Sequence, residues 1–289
     1  MYDSVRSSGS ASKELYLDLL KKALRFTFWE DPGKPLEVVA YRARFLRPLV
    51  LTVARLLSTV RLRMVVLRDM EMERRMPGST WPSCAHTMVS MQRVDNIQAA
   101  VETVLRESIP GDLIETGVWR GGSCILMRAV LKAHGDISRR VFVADSFEGL
   151  PKPDATKHHS DVGDKHYTHE FLAVSKEVVE DNFRQYGLLD DQVVFLKGWF
   201  KDTLPSAPLQ QISVMRLDGD MYGSTMDALE SLYDKLSVGG FCIIDDYALL
   251  GCRAAVDDFR ERRKIGEPLI EIDHTGRYWR KLSGKVQAQ

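Results

Sequence analysis

The sequence predicts an α/β fold, in which a doubly wound parallel sheet is closed by a C-terminal antiparallel hairpin and preceded by an N-terminal helical arm. The first observation is that, from residue 109 onward, short apolar runs alternate with segments of helical length, which is typical of right-handed βαβ crossovers. The second is a helical pattern before that point. We expect a disordered tail over residues 1–12, a helical arm over 13–108 and the α/β domain over 109–289.

The helical arm contains an unusual basic segment. Amphipathic spacing predicts helices over Glu14–Phe28 and Asp95–Ser108, but the run Val38–Leu67 between them carries six arginines and no acidic residue. Such a segment can lie on an anionic membrane surface, or it can pack on the α/β domain or a second subunit with its guanidinium groups in solvent. We favour packing in a homodimer over peripheral membrane contact. Pro48 and the scattered arginines argue against a membrane-spanning helix.

The elements of the α/β domain follow from the position of each apolar run. Five runs bounded by turn residues predict parallel strands: Leu113–Glu115, Val141–Asp145, Val193–Leu196, Ile212–Leu217 and Phe241–Asp245. The segments between and after them predict helices: Gly121–Ala133, Val174–Tyr186, Thr225–Leu236 and Cys252–Arg263. Two final runs flank a short turn and predict an antiparallel hairpin: Leu269–Asp273 and Arg277–Lys281.

Charge and cysteine content narrow the class of protein. Lysine plus arginine and aspartate plus glutamate both number 40, so no overall attraction to nucleic acid is expected. The four cysteines form no C-x-x-C pair and no zinc-like spacing. With no secretory pattern at the N-terminus, we expect reduced thiols and a cytoplasmic protein.

Two aspartate pairs follow two of the predicted strands. Asp218 and Asp220 come after the fourth strand, and Asp245 and Asp246 end the fifth. Because ligands in open α/β sheets bind beyond the carboxyl ends of the strands, both pairs are expected to meet in one cleft. Several carboxylates can share such a site only if some stay protonated or a cation is present, and Mg²⁺ is favoured over Ca²⁺ or Mn²⁺. The alternative is a pair of solvated turns at the strand ends.

A glycine-containing loop, Glu115-Thr-Gly-Val-Trp-Arg-Gly-Gly-Ser, joins the first strand to the first helix of this domain. Glycines let the backbone approach a ligand closely, and the helix N-terminus offers free N–H groups. The dinucleotide fingerprint G-x-G-x-x-G is absent, and Trp119 would crowd a pyrophosphate. Glu115 suits a cationic ligand, while Asp145 stands where ribose hydroxyls are bound in such folds. The alternative is a tight turn without a ligand.

Six long segments are specific enough to indicate a family: LIETGVWRGGS, VADSFEGLP, NFRQYGLLDDQVVFLKGWFKDTLP, RLDGDMYGSTMDAL, GGFCIIDDY and IDHTGRYWR. They resemble the macrocin O-methyltransferase family, bacterial enzymes that methylate sugar hydroxyls on macrolides and other glycosylated natural products. The resemblance runs from about His86 to Arg280, whereas the arginine-rich stretch from about Pro35 to Arg75 is dissimilar. It implies a class I methyltransferase fold with a Rossmann-like sheet, S-adenosylmethionine as cofactor, and Mg²⁺.

The resemblance also implies roles for individual residues. Asp218, Asp245 and Asp246 would hold the Mg²⁺, with Asp218 also bordering the cofactor. Asp220 would be the general base that takes the proton of the acceptor hydroxyl. Further residues are implied to surround the cofactor: Glu115, Gly117, Asp145 and Ser146 at its methionine and ribose parts, Trp199 near its adenine, and Thr87 and Met88 as a lid.

The resulting hypothesis is a metal-dependent O-methyltransferase acting on a hydroxyl of a glycosylated small molecule, such as the sugar of an antibiotic. Two other acceptors stay open, a catechol or phenol and the sugar of a glycolipid. A protein that keeps the fold and has lost catalysis is a third alternative, which the intact aspartate pairs argue against. The stretch Pro151–His169, which contains four histidines, has little periodicity and follows a predicted strand, so we expect a loop that covers the acceptor. A metal site is the alternative, but nothing fixes the spacing of these histidines as a ligand set would require.

Overall fold

The computed structural model describes residues 2–36, 45–68, 80–154 and 156–282 of the chain. Contacts divide the chain into two units, one formed by Met1–Asp18 with Gln92–Gln289 and the other by Leu19–Met91. This division differs from the predicted boundaries after residues 12 and 108, because the helix that precedes the sheet belongs to the α/β unit.

The first helix is longer than predicted. Helix α1 (Tyr2–Leu24) begins at Tyr2, so residues 2–12, for which disorder was predicted, are helical. Serine and glycine residues of low helix propensity in this segment explain why its sequence favoured disorder. The buried side chains Leu17, Leu20 and Leu24 repeat at helical spacing, as the amphipathic pattern of this segment requires.

The unit Leu19–Met91 contains little regular structure besides one helix. Strand β1 (Lys34–Pro35) pairs antiparallel with β2 (Val65–Val66), and α2 (Arg47–Thr59) lies between them in sequence. No residue of α2 is buried. Residues 38–44 of the arginine-rich run lie outside the described residues. No helix in the described part of the chain has the length and apolar character needed to cross a membrane.

A mixed sheet of seven strands forms the centre of the α/β unit. Its strands are β3 (Asp112–Thr116), β4 (Val141–Asp145), β5 (Val193–Lys197), β6 (Ile212–Leu217), β7 (Leu236–Ile244), β8 (Ile270–Glu271) and β9 (Arg277–Arg280). They are ordered β5-β4-β3-β6-β7-β9-β8. Strands β3 to β7 are parallel, and the hairpin of β8 and β9 joins the β7 edge antiparallel. This confirms the doubly wound sheet closed by a C-terminal hairpin.

Helices connect the strands as the alternation predicted, except that no helix was predicted between β5 and β6. They are α3 (Met91–Arg106), α4 (Gly122–Ala133), α5 (Lys176–Gln185), α6 (Phe200–Thr203), α7 (Tyr222–Leu232) and α8 (Leu250–Arg262). Ser175 caps α5, because its side chain accepts the Val178 N–H. Helix α4 is buried from Gly122 to Leu131, which explains its nearly continuous apolar sequence.

The core lies between the sheet and its helices. Every residue of β6 is buried, and Phe142, Met215 and Trp279 are fully enclosed. Trp279 on β9 is directly opposite Cys242 on β7, and its indole N–H donates to the Tyr233 hydroxyl at 3.3 Å. The hairpin therefore contributes to the core as well as extending the sheet.

Among the strands, β7 is the one whose predicted start differs most from the structure. The sequence predicted a helix through Leu236 and a strand from Phe241, whereas α7 ends at Leu232 and β7 begins at Leu236. Gly239 and Gly240 lie between these two predicted elements. In the structure the Gly239 N–H donates to the Lys281 carbonyl at 2.7 Å, so a tertiary contact with the hairpin end keeps this segment extended.

Candidate active site

Three carboxyl groups converge beyond the adjacent ends of β6 and β7. Oxygens of Asp218, Asp220 and Asp246 all lie within 4.8 Å of one another. The last residues of the two strands, Leu217 and Ile244, are partners in the sheet, so the two aspartate pairs start at the same level. The sequence predicted that both aspartate pairs lie in one cleft. Three of the four residues, Asp218, Asp220 and Asp246, form the cluster.

Backbone conformation, rather than strand alternation, brings Asp220 into this cluster. Strand β6 ends at Leu217, and Asp220 adopts a left-handed conformation with φ of 54°. Aspartate tolerates this region better than most residues, and such conformations occur preferentially at functional sites. The Asp220 N–H points to Asp246 Oδ2 at 3.4 Å, which joins the two strand ends.

The clustered carboxyl groups have raised pKa values. Burial and the neighbouring Asp245 raise the pKa of Asp218 to about 6, and burial and Asp218 raise that of Asp220 to about 7. Burial, with charges on Asp218 and Asp220, raises the pKa of Asp246 well above its usual range. Three such oxygens fit a hard divalent cation, because a positive charge removes the repulsion that keeps these groups protonated.

A fully buried arginine lies beneath the cluster. Arg216 on β6 forms an ion pair with Glu115 on β3, contacts Asp218 Oδ2 at 3.1 Å and lies 2.5 Å from Asp245 Oδ1. No role was predicted for Arg216, although a lone charge within an apolar strand is a signal, since a buried charge requires a partner. Both oxygens of Asp245 are held by buried guanidinium groups, Oδ1 by Arg216 and Oδ2 by Arg93, each at 2.5 Å. Asp245 therefore belongs to this buried network of ion pairs, outside the cluster of Asp218, Asp220 and Asp246.

Glu115 does not face an open cleft. Its carboxyl group is buried, with one oxygen paired to Arg216 and the other accepting the Cys124 thiol at 2.8 Å. Burial raises the pKa of Glu115 to about 7, and Arg216 opposes that rise. The sequence predicted a cationic ligand for Glu115, and in the structure the cation is the guanidinium group of the adjacent strand.

The glycine loop packs against the end of β6. Gly117 has φ of 80°, and a Cβ atom there would lie 1.9 Å from the Asp218 carbonyl oxygen. Trp119, also left-handed with φ of 47°, donates its indole N–H to the Phe171 carbonyl at 2.9 Å. The glycine is thus required by the protein's own backbone, and Trp119 links the loop to residues that follow β4.

Asp145 and Ser146 fix the end of β4. Asp145 Oδ2 accepts the Val118 N–H at 2.7 Å and Oδ1 accepts the Phe147 N–H at 2.7 Å. The Ser146 hydroxyl donates to the Gly149 carbonyl at 2.7 Å. Burial nevertheless raises the pKa of Asp145. The structure therefore brings Asp145 next to the glycine loop, as expected for two parts of one binding site.

The other predicted cofactor residues are spread over both units. Trp199 follows the neighbouring strand β5, is half-buried and stands at the start of α6. Thr87 and Met88 belong to the unit Leu19–Met91, where the Thr87 hydroxyl accepts the Val89 N–H at 3.4 Å.

The histidine-containing segment after β4 packs on the residues that follow Asp220. Asp161, which is buried, accepts the Tyr222 N–H at 2.8 Å, and the His158 ring stacks on the Tyr222 ring at 4.7 Å. His166 Nδ1 lies 2.8 Å from Asp164. Sequence periodicity could not reveal Asp161, because its role depends on a contact with the first turn of α7.

A family model, curated relatives and a solved structure together show that the chain is an S-adenosylmethionine-dependent O-methyltransferase with a class I methyltransferase fold. Residues 13–281 match the family described as Macrocin-O-methyltransferase (TylF), and the chain belongs to that family. The chain is 49% identical over 278 residues to the 8-demethyl-8-(2,3-dimethoxy-alpha-L-rhamnosyl)-tetracenomycin-C 4'-O-methyltransferase of Streptomyces olivaceus, with 96% of each chain covered.

Two further proteins are similar along nearly their whole length. The mycinamicin III 3''-O-methyltransferase of Micromonospora griseorubida is 43% identical over 277 residues, which cover 95% of this chain and 99% of that protein. The solved structure of the O-methyltransferase NovP is 43% identical and superposes with a TM-score of 0.78, covering 94% of this chain and 100% of that chain.

The contact of Gly117 with Asp218 gives a testable prediction. Gly117→Ala should lower the free energy of unfolding by more than the ~1–3 kcal/mol that a left-handed residue alone costs, because the new methyl group collides with the Asp218 carbonyl. Gly187→Ala is the matched control, since Gly187 has φ of 63° and no atom within 4 Å of its Cβ position. Urea unfolding of both variants checks this, and equal losses would contradict it.

Proposed function

We propose that this enzyme moves the methyl group of S-adenosylmethionine to a sugar hydroxyl of a glycosylated small molecule, and that it needs a divalent metal ion, Mg²⁺ first. The printed names of the relatives, which include a rhamnosyl tetracenomycin 4'-O-methyltransferase, support a sugar as acceptor. The proposed metal dependence is supported by the convergence of three carboxyl groups, whose oxygens lie within 4.8 Å of one another and whose pKa values are raised by burial and mutual repulsion. Cytoplasmic location stays a prediction.

The proposed cofactor site surrounds the N-terminus of α4. Gly117 belongs to the loop that leads into this helix, and Asp145 and Ser146 border it from the next strand. We assign these residues to the methionine and ribose parts, and Trp199 to the adenine. Thr87 and Met88 are proposed as a lid over the cofactor. Glu115 is proposed to act indirectly on the site, because its ion pair holds the Arg216 side chain in place.

Asp218, Asp245 and Asp246 are the proposed metal ligands. Asp218 and Asp246 belong to the carboxylate cluster, whereas Asp245 is paired with Arg216 and would have to exchange that contact for the ion. A bound divalent cation would lower the pKa of an acceptor hydroxyl, which is otherwise near that of water.

Asp220 is the proposed general base. As the acceptor oxygen bonds to the methyl carbon, the carbon–sulfur bond breaks, the sulfonium becomes a neutral thioether, and the hydroxyl proton passes to the Asp220 carboxylate. A base works best when its pKa is close to the working pH, and burial raises that of Asp220 to about 7. Its left-handed backbone turns the side chain toward the cluster.

The acceptor class is tested by labelled methyl transfer from S-adenosylmethionine. We expect transfer to glycosylated natural products whose sugars carry a free hydroxyl, and no transfer to the corresponding aglycones. Transfer to free catechols would instead favour a catechol-type enzyme, and transfer only to glycolipids would favour the glycolipid alternative.

Metal removal is expected to abolish turnover. Chelation should stop methyl transfer and added Mg²⁺ should restore it, because the carboxylates would otherwise repel one another and the acceptor hydroxyl would keep its proton. S-adenosylmethionine should still bind the chelated enzyme, since the glycine loop is separate from the carboxylate cluster. Calorimetry measures that binding, and full turnover after exhaustive chelation would remove the metal from the proposal.

Two substitutions separate the base from the metal ligands. Asp220→Asn should lower kcat by about 10²–10⁴-fold with little change in metal affinity, and asparagine also tolerates the left-handed backbone of this residue. Asp246→Asn is the matched variant, and it should weaken metal binding, with activity partly restored at high Mg²⁺. Steady-state kinetics over a range of Mg²⁺ concentrations distinguishes them. A near-normal kcat for Asp220→Asn would place the base elsewhere.

Helix α2 is proposed to pack against a second copy of the chain. Leu49, Val53 and Leu56 recur at helical spacing and expose 62%, 39% and 70% of their surface, so an apolar stripe stays open to solvent within one chain. Peripheral membrane contact is the alternative, because α2 has no acidic residue in its first turn and the adjoining run is rich in arginine.

The two possible contacts of α2, with a second copy of the chain and with a membrane, differ in their response to salt and to mutation. Membrane binding would contribute about 1 kcal/mol per arginine near the surface and would weaken as salt screens the charges. We expect the chain not to sediment with anionic vesicles at any salt concentration. We also expect light scattering to show a dimer that dissociates when Leu49, Val53 and Leu56 are made polar. Salt-sensitive sedimentation by a monomer would favour the membrane.

A further inference from the structure

One buried carboxylate outside the carboxylate cluster caps a helix from a distant part of the chain. Asp161 is 3% exposed, and its Oδ1 accepts the N–H of Tyr222, the first residue of α7, at 2.8 Å. The first N–H groups of a helix have no partner within the helix, and Met221 at the cap position has no side-chain oxygen to accept them. Asp161 therefore takes the place of a local cap.

The Asp161 carboxylate also packs against the first turn of α8. A Cβ atom on Gly251 would collide with Asp161 Oδ1 and would lie 2.9 Å from the Tyr222 nitrogen. Gly251 is outside the left-handed region, so the close approach of these atoms explains its missing side chain. Helix α7 follows Asp220, and α8 follows Asp246. Asp161 thus contacts the first turns of both helices that follow the aspartate pairs.

Hydrogen bonds extend this fixed position along the chain after Asp161. The Asp164 N–H donates to the Asp161 carbonyl at 3.1 Å. Asp164 Oδ1 accepts the His166 N–H at 2.8 Å, and Asp164 Oδ2 lies 2.8 Å from His166 Nδ1. Burial and Asp218 raise the pKa of Asp220, and His166 opposes that rise. His166 therefore lies within electrostatic range of the proposed base.

Residues 158–171 are held at both ends. At the start of this segment, the His158 ring stacks on the Tyr222 ring at 4.7 Å. At its end, the Phe171 carbonyl accepts the indole N–H of Trp119, which belongs to the glycine loop, at 2.9 Å. The segment therefore connects the residues that follow the proposed base with the loop proposed for the cofactor. Such a segment is suited to position an acceptor, because in-line transfer tolerates little displacement.

We propose that Asp161 is a positioning residue of the acceptor site: by capping α7 it fixes residues 158–171 beside Asp220, and these residues bind the acceptor. This inference rests on the proposed function, because it takes the acceptor to bind next to Asp220. Asp161 acts through the segment that it holds. The glycine loop contacts the other end of that segment, so the affinity for S-adenosylmethionine should not change when the cap is removed.

The test combines amide hydrogen exchange of residues 158–171 with kinetics on a defined acceptor, the rhamnosyl tetracenomycin for which the Streptomyces olivaceus relative is named. Asp161→Ala removes the cap, so exchange in this segment should become faster and the KM for this acceptor should rise about 10–100-fold. The kcat should fall by a smaller factor, which loss of folded enzyme would not produce. Asp161→Asn keeps an oxygen that can accept the Tyr222 N–H, so it should restore most of both properties.

Gly251→Ala provides a second variant that changes no residue of the segment. Its methyl group displaces the Asp161 carboxylate, so exchange and the acceptor KM should change in the same direction as in Asp161→Ala. Gly266→Ala is the matched control, because Gly266 is also outside the left-handed region and no described atom lies within 4 Å of its Cβ position. If Asp161→Ala does not fold, Gly251→Ala compared with Gly266→Ala decides the question.

The outcomes separate this inference from the proposed function. If the unmodified enzyme methylates the probe while Asp161→Ala and Gly251→Ala keep its KM, the positioning role of Asp161 is overturned and the proposed function stands. Unchanged hydrogen exchange in both variants overturns that role equally. If the unmodified enzyme methylates neither this probe nor mycinamicin III, the proposed sugar acceptor is overturned, and the role of Asp161 in acceptor binding with it.

Discussion

A single buried guanidinium group, that of Arg216, joins three adjacent strands at the carboxyl end of the sheet. Arg216 contacts Glu115, Asp218 and Asp245, which belong to or follow three adjacent strands. Removing charges from water costs several kcal/mol for each ion unless attraction between them compensates, so these groups hold one another in place. The carboxylate cluster lies at the exposed edge of this buried network of ion pairs. Its excess negative charge makes a divalent cation a suitable partner.

Close backbone packing, as well as charge, determines the geometry at the carboxyl end of the sheet. The glycine loop after β3 contacts the Asp218 carbonyl through Gly117, and Asp145 accepts an N–H of that loop. The elements proposed for the cofactor are therefore built directly onto the strand that carries the proposed metal ligand and base. Such contact explains how methyl donor and acceptor can be aligned, since in-line transfer tolerates little displacement.

The family shares its chemistry, and the choice of acceptor must come from other parts of the chain. Relatives that match nearly the whole sequence are named for different acceptors, a rhamnosyl tetracenomycin and mycinamicin III. Loops that cover the carboxyl ends of the strands are suited to make this choice. In this chain such a loop is held near the proposed base by Asp161 and His158, which contact Tyr222, two residues beyond Asp220.

The sequence by itself determined the order of strands and helices, the C-terminal hairpin, and the aspartate pairs and glycine loop at the strand ends. These follow from local periodicity and from the rule that parallel strands place their carboxyl ends together. Only the tertiary structure decided that Glu115 faces Arg216, that Asp220 turns inward through a left-handed backbone, and that Arg93 reaches Asp273. Those facts depend on contacts between residues far apart in the chain, whose partners no local pattern identifies.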